Sequence, residues 1–282
     1  MLSKWLSDRL ARPELLIAPG AYDAFTAKLV SCSGSEVVYC GGFATTASGY
    51  GLPDVGLLGM AETTGMYRRI AAVVETPLIV DGDTGYGGPL NAARTVQELG
   101  RIGVAGVHIE DQQDPKRCGH VDGKRVLSPD DAAARVRAAA DASAGGGPAI
   151  IARTDALAPE GMASVVDRLG RYAEAGADAI FVDAVRNLDE LREVRAATTL
   201  PLVFNAARTG VGPTLTAAEL SEVGVDMVLY PIELMMAAMD ASRRMLGELL
   251  AGNAPDVPVS FADLNDLLEL PEYVARDRKY RG

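Results

Sequence analysis

Short apolar runs alternate with longer amphipathic stretches along the whole chain. The runs lie at Leu15–Pro19, Val37–Cys40, Pro77–Val80, Gly106–Ile109, Ala149–Ala152, Ala179–Val182, Pro201–Phe204 and Met227–Tyr230. Each is bounded by Gly, Pro or polar residues, and most are almost continuously apolar. That is the pattern of strands buried on both faces of a parallel sheet. Between them, Ala61–Val74, Leu90–Ile102, Pro129–Ala142, Met162–Ala175 and Asn187–Ala197 carry the amphipathic pattern of helices. Gly103, Gly176 and Gly224 follow three helix-like stretches, where glycine suits a C-cap that leads into the next strand. Eight strand–helix units without linker composition predict a single-domain (β/α)8 TIM barrel over residues 1–282, with 233–282 as a C-terminal helical extension. The extension comprises Glu233–Gly252, rich in Met and Leu, and Phe261–Arg281 after a Pro-containing link. It exceeds what a barrel needs, so it packs either on its own barrel or on a neighbouring subunit.

The polar residues then gather at one place in each unit, the strand end. Tyr22 and Asp23 follow the first strand, Gly41, Gly42 and Phe43 the second, and Asp81 and Asp83 the third. Glu110 and Asp111 end the fourth, Arg153, Thr154 and Asp155 the fifth, Asp183 the sixth and Asn205 the seventh. The C-terminal strand ends of this fold build active sites. Mere solvation would scatter charge over both ends, so the clustering predicts an enzyme. The carboxylates of Asp81, Asp83, Glu110 and Asp111 are hard oxygen donors of the kind magnesium takes. Just beyond them runs Lys116-Arg117-Cys118-Gly119-His120, a thiol among cationic groups that lower its pKa toward thiolate. A thiol beside a carboxylate-held metal suggests chemistry on an oxygen-rich, anionic carbon skeleton.

Composition narrows the partners. The net charge of −11 argues against nucleic acid, which needs a basic surface. A small anionic substrate is still admissible where Arg, Lys and metal are concentrated locally. Three cysteines, Cys32, Cys40 and Cys118, are too few and too odd for a disulfide framework and fit a reducing, cytoplasmic setting. Cys32 and Cys40 read as buried and inert. Met1–Pro13 has no apolar core of a secretory signal, and no run of about 18 apolar residues predicts a membrane span. His108, inside a strand, reads as a supporting residue, and Gly145-Gly146-Gly147 as a flexible loop.

These motifs resemble the isocitrate lyase/phosphoenolpyruvate mutase superfamily across nearly the whole chain. The matching segments run from Ala18-Pro19-Gly20-Ala21-Tyr22-Asp23-Ala24 to Leu229-Tyr230-Pro231. They include Gly51-Leu52-Pro53-Asp54, Asp81-Gly82-Asp83-Thr84-Gly85-Tyr86-Gly87, His108-Ile109-Glu110-Asp111-Gln112, Pro115 through His120, and Ala152-Arg153-Thr154-Asp155-Ala156. The Cys-Gly-His version is similar to the short carbon–carbon lyases, those of 2-methylisocitrate and dimethylmalate, and to carboxyphosphonoenolpyruvate mutase. The resemblance implies a homotetramer with C-terminal helices exchanged between neighbours. It implies magnesium, or manganese in its place, held by Asp81, Asp83 and Glu110, partly through water, with Asp54 nearby. It implies Arg153 and the amides at Gly42 and Phe43 on the substrate carboxylate, and Cys118 on a mobile loop.

The expected reaction cleaves the C2–C3 bond of a substituted malate to a 2-keto acid and a carboxylic acid. Cys118 protonates the departing carbanion, with Lys116, Arg117 and His120 tuning it. Tyr39, Asp54 and a metal-bound water are each candidates for the base. The alternatives are a phosphonate-pathway phosphomutase, a decarboxylase of the oxaloacetate type, and a barrel that binds keto acids without turnover. Three positions depart from the lyase pattern. Gly41 stands where a Ser or Thr helps bind carboxylate, and Asp183 stands where a Glu is usual. Asn205-Ala206-Ala207-Arg208 puts a cation where relatives carry a carboxylate. Arg208 is expected to grip a further anionic group, carboxylate or phosphonate. Phe43, Tyr50, Phe204, Arg208 and Leu234 are expected to shape the specificity pocket.

Overall fold

The computed structural model describes residues 2–117, 123–208 and 212–282. An N-terminal helix α1 (Leu2–Leu10) precedes β1 (Leu16–Pro19), α2 (Ala24–Cys32), β2 (Val38–Cys40), α3 (Gly42–Tyr50), α4 (Met60–Ala71) and β3 (Leu78–Asp81). There follow α5 (Pro89–Ile102), β4 (Gly106–Glu110), α6 (Pro129–Ser143), β5 (Ala149–Thr154), α7 (Leu157–Glu160), α8 (Met162–Glu174) and β6 (Ala179–Val182). The chain continues through α9 (Leu188–Ala196), β7 (Leu202–Asn205), α10 (Ala217–Val223), β8 (Met227–Tyr230), α11 (Glu233–Leu250), α12 (Phe261–Leu267) and α13 (Leu270–Arg281).

The eight strands form one parallel sheet in the order β1-β8-β7-β6-β5-β4-β3-β2. A parallel bridge from Gly20 to Tyr39, with Ala21 N–H donating to Tyr39 O at 2.8 Å, joins its two edges. This is the expected (β/α)8 barrel, with each strand within two residues of its expected bounds. Gly103 and Gly224 adopt left-handed φ of 90° and 87° at the ends of α5 and α10, the conformation expected of C-caps.

Leu16, Ala18, Ile79, Ile151, Phe181, Val203, Met227 and Leu229 fill the barrel interior, and Leu6 and Leu10 of α1 join the same cluster. Leu6 packs so closely on the first residue of β4 that a Cβ on Gly106 would lie 2.8 Å from its Cδ2. The helix therefore closes the N-terminal end of the barrel, and Arg9 locks it to Glu36 through paired bonds of 2.8 and 2.7 Å. The sequence reading placed no element in residues 1–13, because the polar face of α1 interrupts its apolar stripe. Two further clusters pack the outer helices on the sheet.

Chain contacts divide the molecule into units 1–234 and 235–282. The second holds most of α11 with α12 and α13, and Leu246, Leu249, Leu250 and Phe261 on these helices are exposed. Among the described residues no helix is long and apolar enough to cross a membrane. Cys40 is buried as expected, whereas Cys32 is exposed, because it ends α2 on the outward face.

Candidate active site

The site begins at the end of β3. Asp81 Oδ1 accepts the Asp83 N–H at 2.8 Å and Oδ2 accepts the Gly42 N–H at 3.0 Å. The first bond folds the chain back on itself and holds Asp83 at φ 48°, a left-handed conformation that aspartate tolerates better than most residues. Gly42 must be glycine for the second, since a Cβ there would lie 2.9 Å from Asp81 Oδ2 and 3.2 Å from Asp83 Oδ1. The Gly42 amide is thus engaged by Asp81, which leaves Phe43 to present the next amide at the N-terminus of α3.

Arg153, at the end of β5, is braced by carboxylates. Its Nε donates to Asp155 Oδ2 at 2.9 Å, and its Nη2 donates to Asp155 Oδ1 at 3.1 Å and Asp183 Oδ2 at 2.6 Å. Its Nε lies 3.3 Å from Glu110 Oε2, and the guanidinium sits 5.1 Å above the Phe181 ring. Nη1 takes part in none of these bonds, so the guanidinium is fixed along one edge, and Arg153 lines the cavity. Asn205 donates to Asp183 Oδ1 at 3.2 Å and accepts the Ala207 N–H at 3.0 Å, so it positions Asp183.

Asp111 faces away from this site. Its Oδ2 accepts from Thr154 Oγ1 at 2.6 Å, Tyr172 OH at 2.8 Å and Arg168 Nη1 at 3.0 Å, and its Oδ1 accepts the Asp155 N–H at 2.9 Å. The expectation that it joins the oxygen donors of a metal is corrected accordingly. A side chain points to the opposite side of a strand from its neighbour, so Glu110 and Asp111 cannot both enter the barrel. Asp111 instead fixes Asp155, which fixes Arg153.

The acidic cluster is compact. Lys116 Nζ lies 2.5 Å from both Asp54 Oδ1 and Asp83 Oδ1. Tyr86 OH donates to the other Asp83 oxygen at 3.1 Å, and Glu110 Oε1 is buried with no hydrogen-bond partner. Burial pushes Asp83 up to about 6, with Asp81 and Asp54 adding repulsion against the pull of Lys116. Burial also raises Glu110 well above the usual carboxylate range. Burial opposes ionisation of Asp81 too, but His108, Lys116 and Arg153 hold it below its ordinary value. Buried, under-partnered carboxylate oxygens are what a hard divalent cation satisfies. Among the described residues no group of three or more His, Cys, Asp and Glu side chains is arranged to hold a metal ion by itself. Asp83 Oδ1 and Glu110 Oε1 are the buried carboxylate oxygens of this kind at the strand ends.

Across the cavity, Tyr39 OH lies 2.8 Å from His108 Nε2, and His108 Nδ1 lies 3.3 Å from Asp81 Oδ1. Burial lowers His108 to about 4, so it is neutral at pH 7, and raises Tyr39 well above 10. With Nδ1–H toward Asp81, Nε2 accepts the Tyr39 proton.

A cavity of about 90 Å³ is lined by these groups. Of the sequence candidates, Tyr39, Gly41, Gly42, Phe43, Asp54, Asp81, Glu110, Lys116, Arg117, Arg153 and Asn205 line it, and Asp83 is held beneath by Lys116. Cys118 and His120 lie outside the described residues. Lys116 rests on carboxylates, a place the thiol-tuning expectation did not give it. Arg208 is exposed and lines a neighbouring cavity, where its N–H donates to Glu233 Oε1 at 3.2 Å. Phe204 is buried in the outer core, because its side chain points from β7 toward the helices. Neither Tyr50 nor Leu234 is among the cavity's lining residues.

Three supporting cations escaped the sequence reading. Arg135 of α6 donates to Glu110 O at 2.8 Å and Gln112 O at 3.0 Å. Arg168 of α8 holds Asp111, and Lys124 lies 3.3 Å from Asp155 Oδ1. The available signal was a charged residue within a buried helical stripe. Arg135 falls between Ala132 and Val136, and Arg168 between Val165 and Leu169.

A family model described as phosphoenolpyruvate phosphomutase matches residues 6–250. The chain is 39% identical to a probable 2-methylisocitrate lyase 2 of Corynebacterium glutamicum over 98% of its own length and 91% of that protein's. The structure superposes on oxaloacetate acetylhydrolase in complex with 3,3-difluorooxalacetate with TM-score 0.95 and 32% identity, covering 100% and 97% of the two chains. It also superposes on phosphonopyruvate hydrolase in complex with oxalate and Mg²⁺ with TM-score 0.89 and 28% identity, covering 100% of both. From its strand-end motifs to its whole length, the chain belongs to the isocitrate lyase/phosphoenolpyruvate mutase superfamily, and it is an enzyme of the carbon–carbon lyase kind.

Proposed function

We propose that this enzyme is a magnesium-dependent lyase that cleaves the C2–C3 bond of a substituted malate-type acid, giving a 2-keto acid and a carboxylic acid. The observation that carries the reading is the pairing, in one cavity, of a one-edged arginine with an acidic cluster rich in under-partnered oxygens. Asp81, Asp83 and Glu110 would hold the cation, with Asp54 beside them. The cation would supply charge stabilisation for oxygen atoms of the substrate.

The chain's own residues do the rest. Arg153 Nη1 and the Phe43 amide hold a substrate carboxylate, and the Asp155–Asp183 brace keeps the guanidinium from turning. The base reading that the geometry favours is Tyr39. Its oxygen takes the C2 hydroxyl proton as its own proton passes to His108 Nε2, and Asp81 stabilises the imidazolium that forms. The C2–C3 bond then breaks, its electron pair moving to C3 and into the adjoining carboxylate. Cys118 delivers its thiol proton to C3, a role that the resemblance supports. A phosphomutase loses one of its supports, because Arg208 lines a different cavity. Cleavage of oxaloacetate is a second reading, supported by the likeness to oxaloacetate acetylhydrolase.

We further propose a homotetramer in which the exposed apolar residues of α11–α13 pack on neighbouring copies, and a cytoplasmic location, consistent with the sparse cysteines. NMR-monitored turnover with magnesium on 2-methylisocitrate, 2,3-dimethylmalate, oxaloacetate and phosphonopyruvate tests the reaction. Keto acid plus a second carboxylic acid from a malate-type substrate, lost in Cys118→Ala, is the expected result. Product from phosphonopyruvate alone would sink the lyase assignment.

A further inference from the structure

A second buried cation stands behind Arg153. Lys124 Nζ donates to Asp155 Oδ1 at 3.3 Å, and the lysine side chain is 4% exposed while that of Asp155 is fully buried. Lysine is rarely buried so deeply unless it is paired. The same carboxylate accepts from Arg153 Nε at 2.9 Å and from Arg153 Nη2 at 3.1 Å. Asp155 is therefore shared between two cations. Arg153 lines the cavity, and Lys124 is not among the lining residues. The lysine thus bears on the cavity through Asp155.

The backbone delivers it there. Gly123, at φ 81°, turns the chain into an extended arm. Gln113 N–H donates to Arg125 O at 2.8 Å, Leu127 N–H donates to Asp111 O at 2.9 Å, and Gln112 pairs with Val126 in an antiparallel bridge. Gln113 Nε2 adds a bond to Val126 O at 2.8 Å. The arm is stitched in this way to the residues that follow β4. Extended chain alternates its side chains, so Lys124 and Val126 are buried and Arg125 between them is exposed.

The charges around Arg153 give the lysine a task. Glu110, Asp155 and Asp183 all place a carboxylate oxygen within 3.3 Å of the guanidinium. A further carboxylate brought to Arg153 meets their repulsion in a buried setting, where charges are weakly screened. Lys124 offsets the charge of Asp155 without entering the cavity. We propose that Lys124 is a positioning residue for anion binding: its ammonium shares Asp155 with Arg153, so that the guanidinium stays braced and still attracts a substrate carboxylate. This rests on the assignment of Arg153 to that carboxylate. Without Lys124, Asp155 faces Arg153 alone, and its uncompensated charge repels the ligand. The loss falls on binding, because the carboxylate is held alike before and during bond cleavage.

The test is calorimetric titration of oxalate, a compact dicarboxylate, into the full-length wild type, Lys124→Met, Asp155→Asn and the double variant, each with saturating Mg²⁺. Methionine keeps the length of the side chain and removes its charge. The Kd for oxalate should rise about tenfold in Lys124→Met. The KM of the best malate-type substrate should rise with it, while kcat stays within about twofold of the wild type. In the Asp155→Asn background, Lys124→Met should change the Kd by less than about twofold, since the group it acts through has lost its charge. That second comparison leaves no buried carboxylate unpaired at position 155, so it stands even where Lys124→Met alone folds poorly. Wild-type affinity for oxalate in Lys124→Met overturns the inference and leaves the role of Arg153 standing. Equal losses in the two backgrounds show that the lysine acts on the ligand directly and overturn the positioning role. No oxalate binding by the wild type overturns both this inference and the assignment of Arg153.

Discussion

The two ends of the barrel solve opposite problems. At the N-terminal end, Leu6 and Leu10 of α1 sit on the apolar interior, and one ion pair, Arg9 to Glu36, pins the helix at the rim. At the C-terminal end, Asp54, Asp81, Asp83, Glu110, Asp155 and Asp183 crowd around Lys116, Lys124 and Arg153, and burial pushes Asp83 and Glu110 toward their neutral forms. The first end is what hydrophobic burial alone would build. The second carries buried like charges and residues at positive φ (Asp83, Tyr86 and Ala184), features that persist where function requires them and the surrounding structure holds them. Apolar packing closes one end and the polar cluster occupies the other, which is the division expected of this fold.

That contrast can be broken by substitution. The largest effect is expected from Arg153→Lys, which keeps the charge but loses the fork between Asp155 and Asp183. Activity should fall by about 10³-fold with little change in the melting curve, and steady-state kinetics beside circular dichroism would check it. Leu6→Ala should do the reverse. It should cost about 2–5 kcal/mol of stability by opening a cavity in the plug, measured by urea denaturation, with kcat unchanged. If Leu6→Ala instead reduced kcat at temperatures where the protein stays folded, the separation of the two ends would be lost.

Glu110→Gln sharpens the comparison. Burial holds Glu110 toward its neutral form, so an uncharged isostere should stabilise the metal-free protein by about 0.5–2 kcal/mol while weakening Mn²⁺ binding and abolishing turnover. A variant less stable than the wild type would show that the glutamate is not the strained group described here. The smallest effect belongs to the other end. The Arg9 guanidinium holds Glu36 below its ordinary value, mainly through their hydrogen bonds, so the pair's contribution is full above the usual glutamate pKa and is lost as pH falls from there through the lowered folded value. Half of the Glu36 side chain is exposed, so Glu36→Gln should cost no more than about 1 kcal/mol at pH 7 and less at pH 3. Thermal melts at the two pH values would settle it.

The barrel was legible because buried parallel strands are almost continuously apolar and each strand ends in a polar residue that cannot enter the core. Asp81, Asp83, Glu110 and Arg153 were legible for the same reason. The partners that position them were not. Lys124, Arg135 and Arg168 come from loops and helix faces far away in sequence, and only the closed barrel brings them to Asp155, the Glu110 backbone and Asp111. Side-chain direction was the other blind spot. Asp111 and Phe204 were assigned to the site by their place at strand ends, yet both point outward toward the helices. Arg208 was expected in the pocket because of its charge, but the backbone after β7 carries it beside Glu233 in the adjacent cavity. The helix α1 went unseen because its apolar residues are few and it is completed only by the barrel end that it covers.

The central claim is that the C-terminal end is a metal-assisted carbon–carbon lyase site built on Asp81, Asp83, Glu110 and Arg153. The most direct measurement is single-turnover formation of 2-keto acid from the best malate-type substrate by chelator-stripped enzyme, before and after Mg²⁺ is restored, in wild type and Glu110→Gln. The account predicts no keto acid from the stripped wild type, full recovery on adding Mg²⁺, and no recovery in Glu110→Gln. Undiminished keto acid formation by the stripped enzyme, or recovery by Glu110→Gln equal to that of the wild type, would contradict it.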